Sequence, residues 1–248
     1  MAALKGVFIA VTRARGQASG FAGALRRMGA RVLICPTILI AAPASYKPLD
    51  RAVRKLESYD WLIFTSANAV ESFAKRLRRK PVRSKTCAIG PGTAASMKKL
   101  GIKVTLMSKN FVAESILKTM PSVRGKRILI PRAKDAREIL PRELRRRGAA
   151  VDAPETYKTV LDARGAAQLR KALKSAVDCV TFTSASTVHN FFKAAGRIPH
   201  KQITAASIGP ITTQALLSHG WKPAIVAKKP TTQHLAQAIL KYYRKGHL

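Results

Sequence analysis

Six short motifs in this chain carry the residue types that grip anions: Thr12-Arg13, Thr65-Ser66, Gly90-Pro91, Pro131-Arg132, Thr183-Ser184 and Gly209-Pro210. Each closes an apolar run and opens a helical pattern. A helix N-terminus presents free N–H groups and a partial positive charge. Several of them around one ligand would hold a molecule with many carboxylates or phosphates. Candidate binding residues on this reading are Thr12, Arg13, Thr65, Ser66, Ala67, Asn68, Gly90, Thr93, Arg132, Ser184, Ala185, Ser186, Gly209 and Thr212. Ser, Thr and Asn before a helix are also ordinary caps, and "NAVE" from Asn68 to Glu71 has capping-box spacing. The glycines of "IGPGT" and "IGPIT" either admit a ligand to the backbone or simply allow tight turns.

One side chain could donate a proton. Tyr157, in "ETYKTV", lies on an extended stretch where it either faces a ligand or packs as a strand aromatic. Other catalytic kits are missing. There is no GxSxG elbow and neither a GxGxxG nor a Walker pattern. Asp60, Asp135 and Asp178 exist, but Asp60 and Asp178 precede their strands, at the end opposite the motifs. Cys35, Cys87 and Cys179 lie in or beside strand-like runs with no CxxC, which reads as buried hydrophobes. The histidines (His189, His200, His219, His234, His247) have no ligand spacing, so no structural metal is expected.

The elements that position these residues follow from an internal repeat. "VTRARGQASGFAGALRRMGARV" aligns without a gap on "IPRAKDAREILPRELRRRGAAV", pairing Arg13 with Arg132 and Gly29 with Gly148. "IFTSANAVESF" matches "TFTSASTVHNF", and "AIGPGTAASMKKLGIKV" matches "SIGPITTQALLSHGWKP". Each copy alternates strand and helix, which predicts parallel, doubly wound sheets. After the first strand and helix, the expected elements are a strand over "RVLICPTILI", helix 49–58, strand 61–65, helix 68–79, strand 86–89, helix 92–100, strand 102–106 and helix 112–120. "PTILIAAPASYKP" and "PETYKTVLDARG" are long, extended and Pro-containing, and suit crossings between domains. A plain division near residue 123 is also compatible with the repeat.

The ordered set "DWLIFTSANAVESF", "AIGPGTAASMKKLGI", "ETYKTV" and "FTSASTVHNF…SIGPITTQAL" resembles the uroporphyrinogen-III synthase family, from about Val7 to Ala238. The resemblance implies two flavodoxin-like α/β domains joined by a two-stranded β linker. The domains would be 1–37 plus 160–248 and 41–155, with linker strands in 38–48 and 156–165. It also implies a reaction. Hydroxymethylbilane, a linear tetrapyrrole with eight carboxylates, loses water and closes to uroporphyrinogen III with its last ring inverted. No cofactor or metal is implied. Departure of the hydroxyl leaves a reactive azafulvene cation, and the substituted carbon of the last ring must attack it first, giving a spiro intermediate that reopens and recloses. The task is conformational control. By resemblance Tyr157 is the donor at the leaving hydroxyl. Ser66, Ser184 and Thr212 grip acetate and propionate groups, and Thr65-Ser66 and Thr183-Ser184 form opposite walls of one cleft. The family implies a monomer functionally coupled to hydroxymethylbilane synthase. The alternative is a two-lobed binder of anionic small molecules without chemistry.

The charge departs from what such a family suggests. The 248 residues hold 46 Lys plus Arg against 12 Asp plus Glu, a formal +34. Such a field attracts any polyanion. The basic residues spread along the whole chain, and the dense segments 75–85 and 142–148 carry leucines at helical spacing. Aromatic residues do not interleave with them as on a single-strand platform. Nucleic-acid binding is therefore expected only as a non-specific effect of charge. No apolar run approaches a membrane span, and the first residues read as a strand rather than a leader, so a cytoplasmic setting without membrane attachment is expected.

Overall fold

A computed structural model describes residues 3–78, 80–108, 113–175, 177–196 and 202–246. The first repeat supplies β1 (Phe8–Val11), α1 (Arg15–Arg27), β2 (Arg31–Ile34), β3 (Ile38–Ala41), α2 (Lys47–Arg54), β4 (Trp61–Phe64), α3 (Ala67–Leu77), β5 (Lys85–Ala88), α4 (Pro91–Lys99), β6 (Leu106–Met107) and α5 (Ala113–Thr119). The second supplies β7 (Arg127–Leu129), β8 (Arg132–Ala133), α6 (Ile139–Arg146), β9 (Ala150–Asp152), β10 (Glu155–Leu161), α7 (Ala163–Leu173), β11 (Cys179–Phe182), α8 (Ala185–Ala195), β12 (Thr204–Ser207), α9 (Pro210–Ser218), β13 (Ile225–Val226) and α10 (Thr232–Arg244). Gly29 and Gly148 follow α1 and α6 at φ 99° and 83°, a left-handed bend that glycine takes without cost.

The chain forms two compact units, one of Met1–Leu39 with Val160–Leu248, the other of Ile40–Thr159. We call them unit 1 and unit 2. The unit 1 sheet runs β13-β12-β11-β1-β2 and the unit 2 sheet β6-β5-β4-β7-β9. All their pairings are parallel. Each sheet thus joins the first βαβ of one repeat to the later strands of the other. Both have the same doubly wound order, with a topological switch point between β1 and β11 in unit 1 and between β7 and β4 in unit 2. A third sheet, β3-β10-β8, contains the two segments at which the chain passes from one unit to the other. The expected two-strand ladder has acquired β8 as an extra strand. Helix α2 begins at Lys47 and α7 at Ala163, so the extended stretches end sooner than their composition suggests.

Alternation along each strand covers both faces of each sheet. In unit 1, Ile9 and Val11 pack with Phe21, Leu25, Leu235 and Ile239. Ala10, Val180 and Phe182 face Leu169, Phe191 and Leu216 on the other side. In unit 2, Leu62 and Phe64 pack with Val70, Phe73 and Met97, while Trp61 and Ile63 meet Ile116, Leu140 and Leu144. Each fully buried large side chain contributes roughly 1.5–3 kcal/mol.

The repeated aspartates hold strand starts together. The Asp178 carboxylate accepts from the Phe8 amide at 2.7 Å, and that of Asp60 accepts from the Arg127 amide at 2.9 Å. These anchor neighbouring central strands at the edge away from the motifs.

Four expected elements change. The single strand expected over "RVLICPTILI" forms as β2 and β3, parted at Cys35–Thr37, and Pro131-Arg132 opens β8 rather than a helix, with α6 starting only at Ile139. The helix expected over 49–58 stops at Arg54, and Leu56–Ser58 closes as a 3-10 turn. The Ser58 hydroxyl donates to the Lys55 carbonyl at 2.8 Å, competing with a further helical turn. The strand expected over 102–106 forms only at Leu106–Met107. Before it, Thr86 and Thr105 exchange amide–hydroxyl bonds at 3.0 and 3.1 Å, replacing ladder bonds with side-chain ones. Residue 112, expected to open a helix, and His200 and His247 lie outside the described residues.

Candidate functional site

Each switch point is lined by the end of a strand and the start of a helix. In unit 2, β4 ends at Phe64, Thr65 turns the chain, and Ser66 caps α3. The cap is two residues earlier than the "NAVE" spacing suggests, because the Ser66 hydroxyl already accepts the Ala69 amide at 3.1 Å. Thr65, Ser66, Ala67 and Asn68 are all half-buried. The β4 and β10 sequences bring a phenol to this cap: the Tyr157 hydroxyl lies 3.1 Å from the Ser66 hydroxyl. Tyr157 is 6% exposed and packs beside Phe64, Ala88 and Leu129. Its backbone carbonyl accepts from the Lys134 amide at 2.9 Å. The ring packs as a strand aromatic in the core, and its hydroxyl meets the Ser66 cap.

Burial raises the Tyr157 pKa above its ordinary value, and hydrogen bonds from the Ser66 and Asn68 side chains oppose the rise without cancelling it. The phenol is therefore neutral near pH 7 and able to donate. The two neighbours that weaken the shift are those that would stabilise charge growing on its oxygen.

The remaining unit 2 residues divide by availability. Gly90 is a buried N-cap to α4 with extended backbone, and Thr93 is buried in the first turn of that helix. Arg132 is buried, and its guanidinium is taken by Glu138 and by the Ala136 carbonyl. A buried arginine already paired with a carboxylate stabilises the local loop, and a second anion there must compete with Glu138.

Unit 1 places Ser184 at the N-cap of α8 in a capping box with Thr187. Its hydroxyl lies 2.9 Å from that of Ser186. Ser184, Ala185 and Ser186 are half-buried. Gly209 is the buried, extended N-cap of α9, and Thr212 is buried one turn in. Thr12 is wholly buried and donates its hydroxyl proton to the Thr181 carbonyl at 2.6 Å. Arg13 follows it, half-buried. Thr37 donates to the Thr187 carbonyl at 3.1 Å, so this switch point is tied by internal threonines.

Sequence reasoning overlooked Ser207. Its hydroxyl accepts from Thr213 at 2.9 Å and donates to the Gly209 carbonyl at 3.1 Å, bracing the "IGPIT" turn. The available signal was the comparison of copies, since "AIGPGT" has alanine at the equivalent position. The two switch points also differ in their chemistry. At the repeat offset of 119 residues, Tyr157 falls on Ile38. An apolar side chain suffices there, so the fold itself does not call for a phenol.

The model of the family described as uroporphyrinogen-III synthase HemD matches residues 19–237. The chain belongs to the uroporphyrinogen-III synthase family. It is 35% identical to the uroporphyrinogen-III synthase of Synechococcus elongatus, across 98% of this chain and 97% of that one. Among solved structures, a mutant uroporphyrinogen III synthase from the extremely thermophilic bacterium Thermus thermophilus matches with a TM-score of 0.70 at 19% identity, covering 98% of this chain and all of that one. The uroporphyrinogen-III synthetase of Helicobacter pylori matches with a TM-score of 0.65 at 22% identity, over 95% and 99% of the two chains. Both show the shared flavodoxin-like fold. The family is one of lyases, and the chain has a uroporphyrinogen-III synthase-like role.

The described residues contain no cluster of three or more His, Cys, Asp or Glu suited to a metal. The three cysteines are buried thiols, with burial pushing Cys35 and Cys87 up to about 12, so none is a nucleophile near neutrality. No helix among the described residues is long and apolar enough to cross a membrane.

Proposed function

We propose that this chain closes hydroxymethylbilane to uroporphyrinogen III, with loss of water and inversion of the last ring, and without a cofactor. The observation that carries the reading is the Ser66–Tyr157 pair at the unit 2 switch point, in a chain of this family. The carbon–oxygen bond of the substrate's hydroxymethyl group breaks, and the hydroxyl leaves as water by taking a proton from solvent, which regains one when the attacking ring is deprotonated on closure. A neutral phenol beside that oxygen assists by hydrogen-bond donation. Burial makes full proton transfer from Tyr157 costly, so we assign it donation that strengthens as charge develops on the leaving oxygen. Ser66 and Asn68 hold the phenol and share any charge that forms.

The carboxylates of the substrate are assigned to the half-buried helix starts at Thr65–Asn68 and Ser184–Ser186. The backbone at Gly90 and Gly209 and the threonines Thr93 and Thr212 complete each edge. Thr12, Arg13 and Arg132 act by shaping these edges.

The test supplies the protein with hydroxymethylbilane made in situ and separates the product isomers. Isomer III above the spontaneous background is the expected result. Isomer I alone, at the uncatalysed rate, overturns the proposal. Tight porphyrinogen binding without turnover would instead identify a binder of anionic small molecules.

A further inference from the structure

Away from the switch points, unit 1 carries a groove of about 600 Å³ between the edge strand β13 and helix α10. It contains none of the residues assigned above. Its α10 wall is a stripe at helical spacing, from His234 through Ala238, Lys241 and Tyr242 to Lys245. At 1.5 Å per residue that stripe is roughly 16 Å long. The complementary stripe, Leu235, Ala236, Ile239 and Tyr243, is buried in the core, so the groove face is the outward side of a fixed helix. The other wall is β13 itself, with Ile225 at its base, Val226 47% exposed, and Lys228 beyond.

Three independent features narrow the occupant. Among the described residues, the strand β13 is the end of its sheet order and pairs only with β12, which leaves its outer backbone edge open to another strand. The helix wall, roughly 16 Å long, spans about five residues of extended chain at ~3.3 Å each. The groove's rim is cationic: none of the described lining residues is acidic, and the sequence has no Asp or Glu after Asp178. Backbone edge, apolar floor and lysine rim correspond to an extended peptide whose residues alternate between apolar and acidic.

We propose that the β13–α10 groove is a docking site for an acidic, extended segment of a partner protein, added as a strand to the unit 1 sheet. Main-chain hydrogen bonds to β13 would set its direction. Apolar side chains would rest on Ile225, Ala238 and Tyr242, with carboxylates against Lys228, Lys241 and Lys245. Phosphate backbones would use the lysines but leave the strand edge unpaired.

The test is fluorescence anisotropy at physiological salt with a labelled heptapeptide of alternating Glu and Val. Binding is expected, with at least tenfold loss when the central Val is Pro, which cannot donate to β13. Lys241→Glu/Lys245→Glu should lose at least tenfold. Lys98→Glu/Lys99→Glu, the same charge change on exposed residues of unit 2, should stay within twofold. Equal losses in both double variants would reduce the effect to global charge, and indifference to proline would rule out strand addition. A single-stranded oligonucleotide that binds more tightly and depends on the same lysines would make the groove a nucleic-acid site. No peptide binding at all would mean the lysines only guard the edge against self-association.

Discussion

On the proposed function, the phenol of Tyr157 is the residue on which the chemistry turns, and its setting makes two behaviours measurable. Burial disfavours the phenolate, so the folded pKa lies above the ordinary value of about 10. The stabilisation that goes with this shift is therefore full below pH ~10 and disappears as pH rises through the folded pKa. Ultraviolet difference titration of the parent against Tyr157→Phe should show no phenolate from this residue until the protein is taken above pH ~10. In the isomer assay Tyr157→Phe should slow turnover by ~100-fold or more with its circular dichroism unchanged. An unchanged rate removes Tyr157 from the mechanism. The two capping serines should separate. Ser66→Ala removes both a cap and the Tyr157 contact, whereas Ser184→Ala removes a cap and a contact with Ser186. Each should cost about 1 kcal/mol in chemical denaturation. Because many groups share the grip on the substrate, each should also lower turnover about tenfold or less. Ser66→Ala should in addition shift the Tyr157 titration, which Ser184→Ala leaves alone.

At the scale of elements, what positions the site is the entry of each helix, and α7 shows how closely that entry is set. Gly165 lies in its first turn, where its amide donates to Asp162 at 2.8 Å. A β-carbon there would sit 1.9 Å from the Pro36 carbonyl oxygen, inside backbone that cannot swing aside. Gly165→Ala must push α7 away from the irregular stretch that leads into β3. The expected result is a loss of ~3 kcal/mol in stability by denaturant unfolding, at the upper end of overpacking costs. Alanine at Gly16, where nothing lies within 4 Å of the added carbon, should be neutral or slightly stabilising. The contrast cannot be read from the sequence, since both glycines open helices in similar polar company.

For the whole molecule, charge is the overriding feature. The two units carry equal net charge, +17 each. Unit 1 has 19 basic residues against only Asp162 and Asp178, and unit 2 has 27 against ten acidic. Asp162 caps α7 and Asp178 holds β1, so neither is a free counter-charge for the surface. The ion pairs Arg76–Asp50 and Arg137–Glu114 illustrate the partial neutralisation that unit 2 has and unit 1 lacks carboxylates to build. Self-repulsion on this scale opposes the compact state and is screened by salt. The melting temperature should rise as sodium chloride goes from ~20 to ~300 mM, and flatten as the Debye length falls to a few ångströms. A temperature that falls or stays level over that range would show that the surface cations are already balanced.

The sequence by itself determined the doubly wound class, the repeat and the motifs at strand ends. These are properties of spacing: apolar runs of strand length, helical periodicity between them, and hydroxyl or glycine caps at each boundary. It also carried the residues Ser66 and Tyr157, but not their relation, because 91 positions separate them and nothing local links a cap to a strand aromatic. The tertiary structure decided that the phenol meets that cap while Thr12 and Arg132 are drawn into internal bonds. It decided too that the β13 edge stays open beside a basic helix face. Strand order and burial are collective outcomes of packing. The chemistry of each side chain is written in the chain, and its neighbours are chosen by the fold.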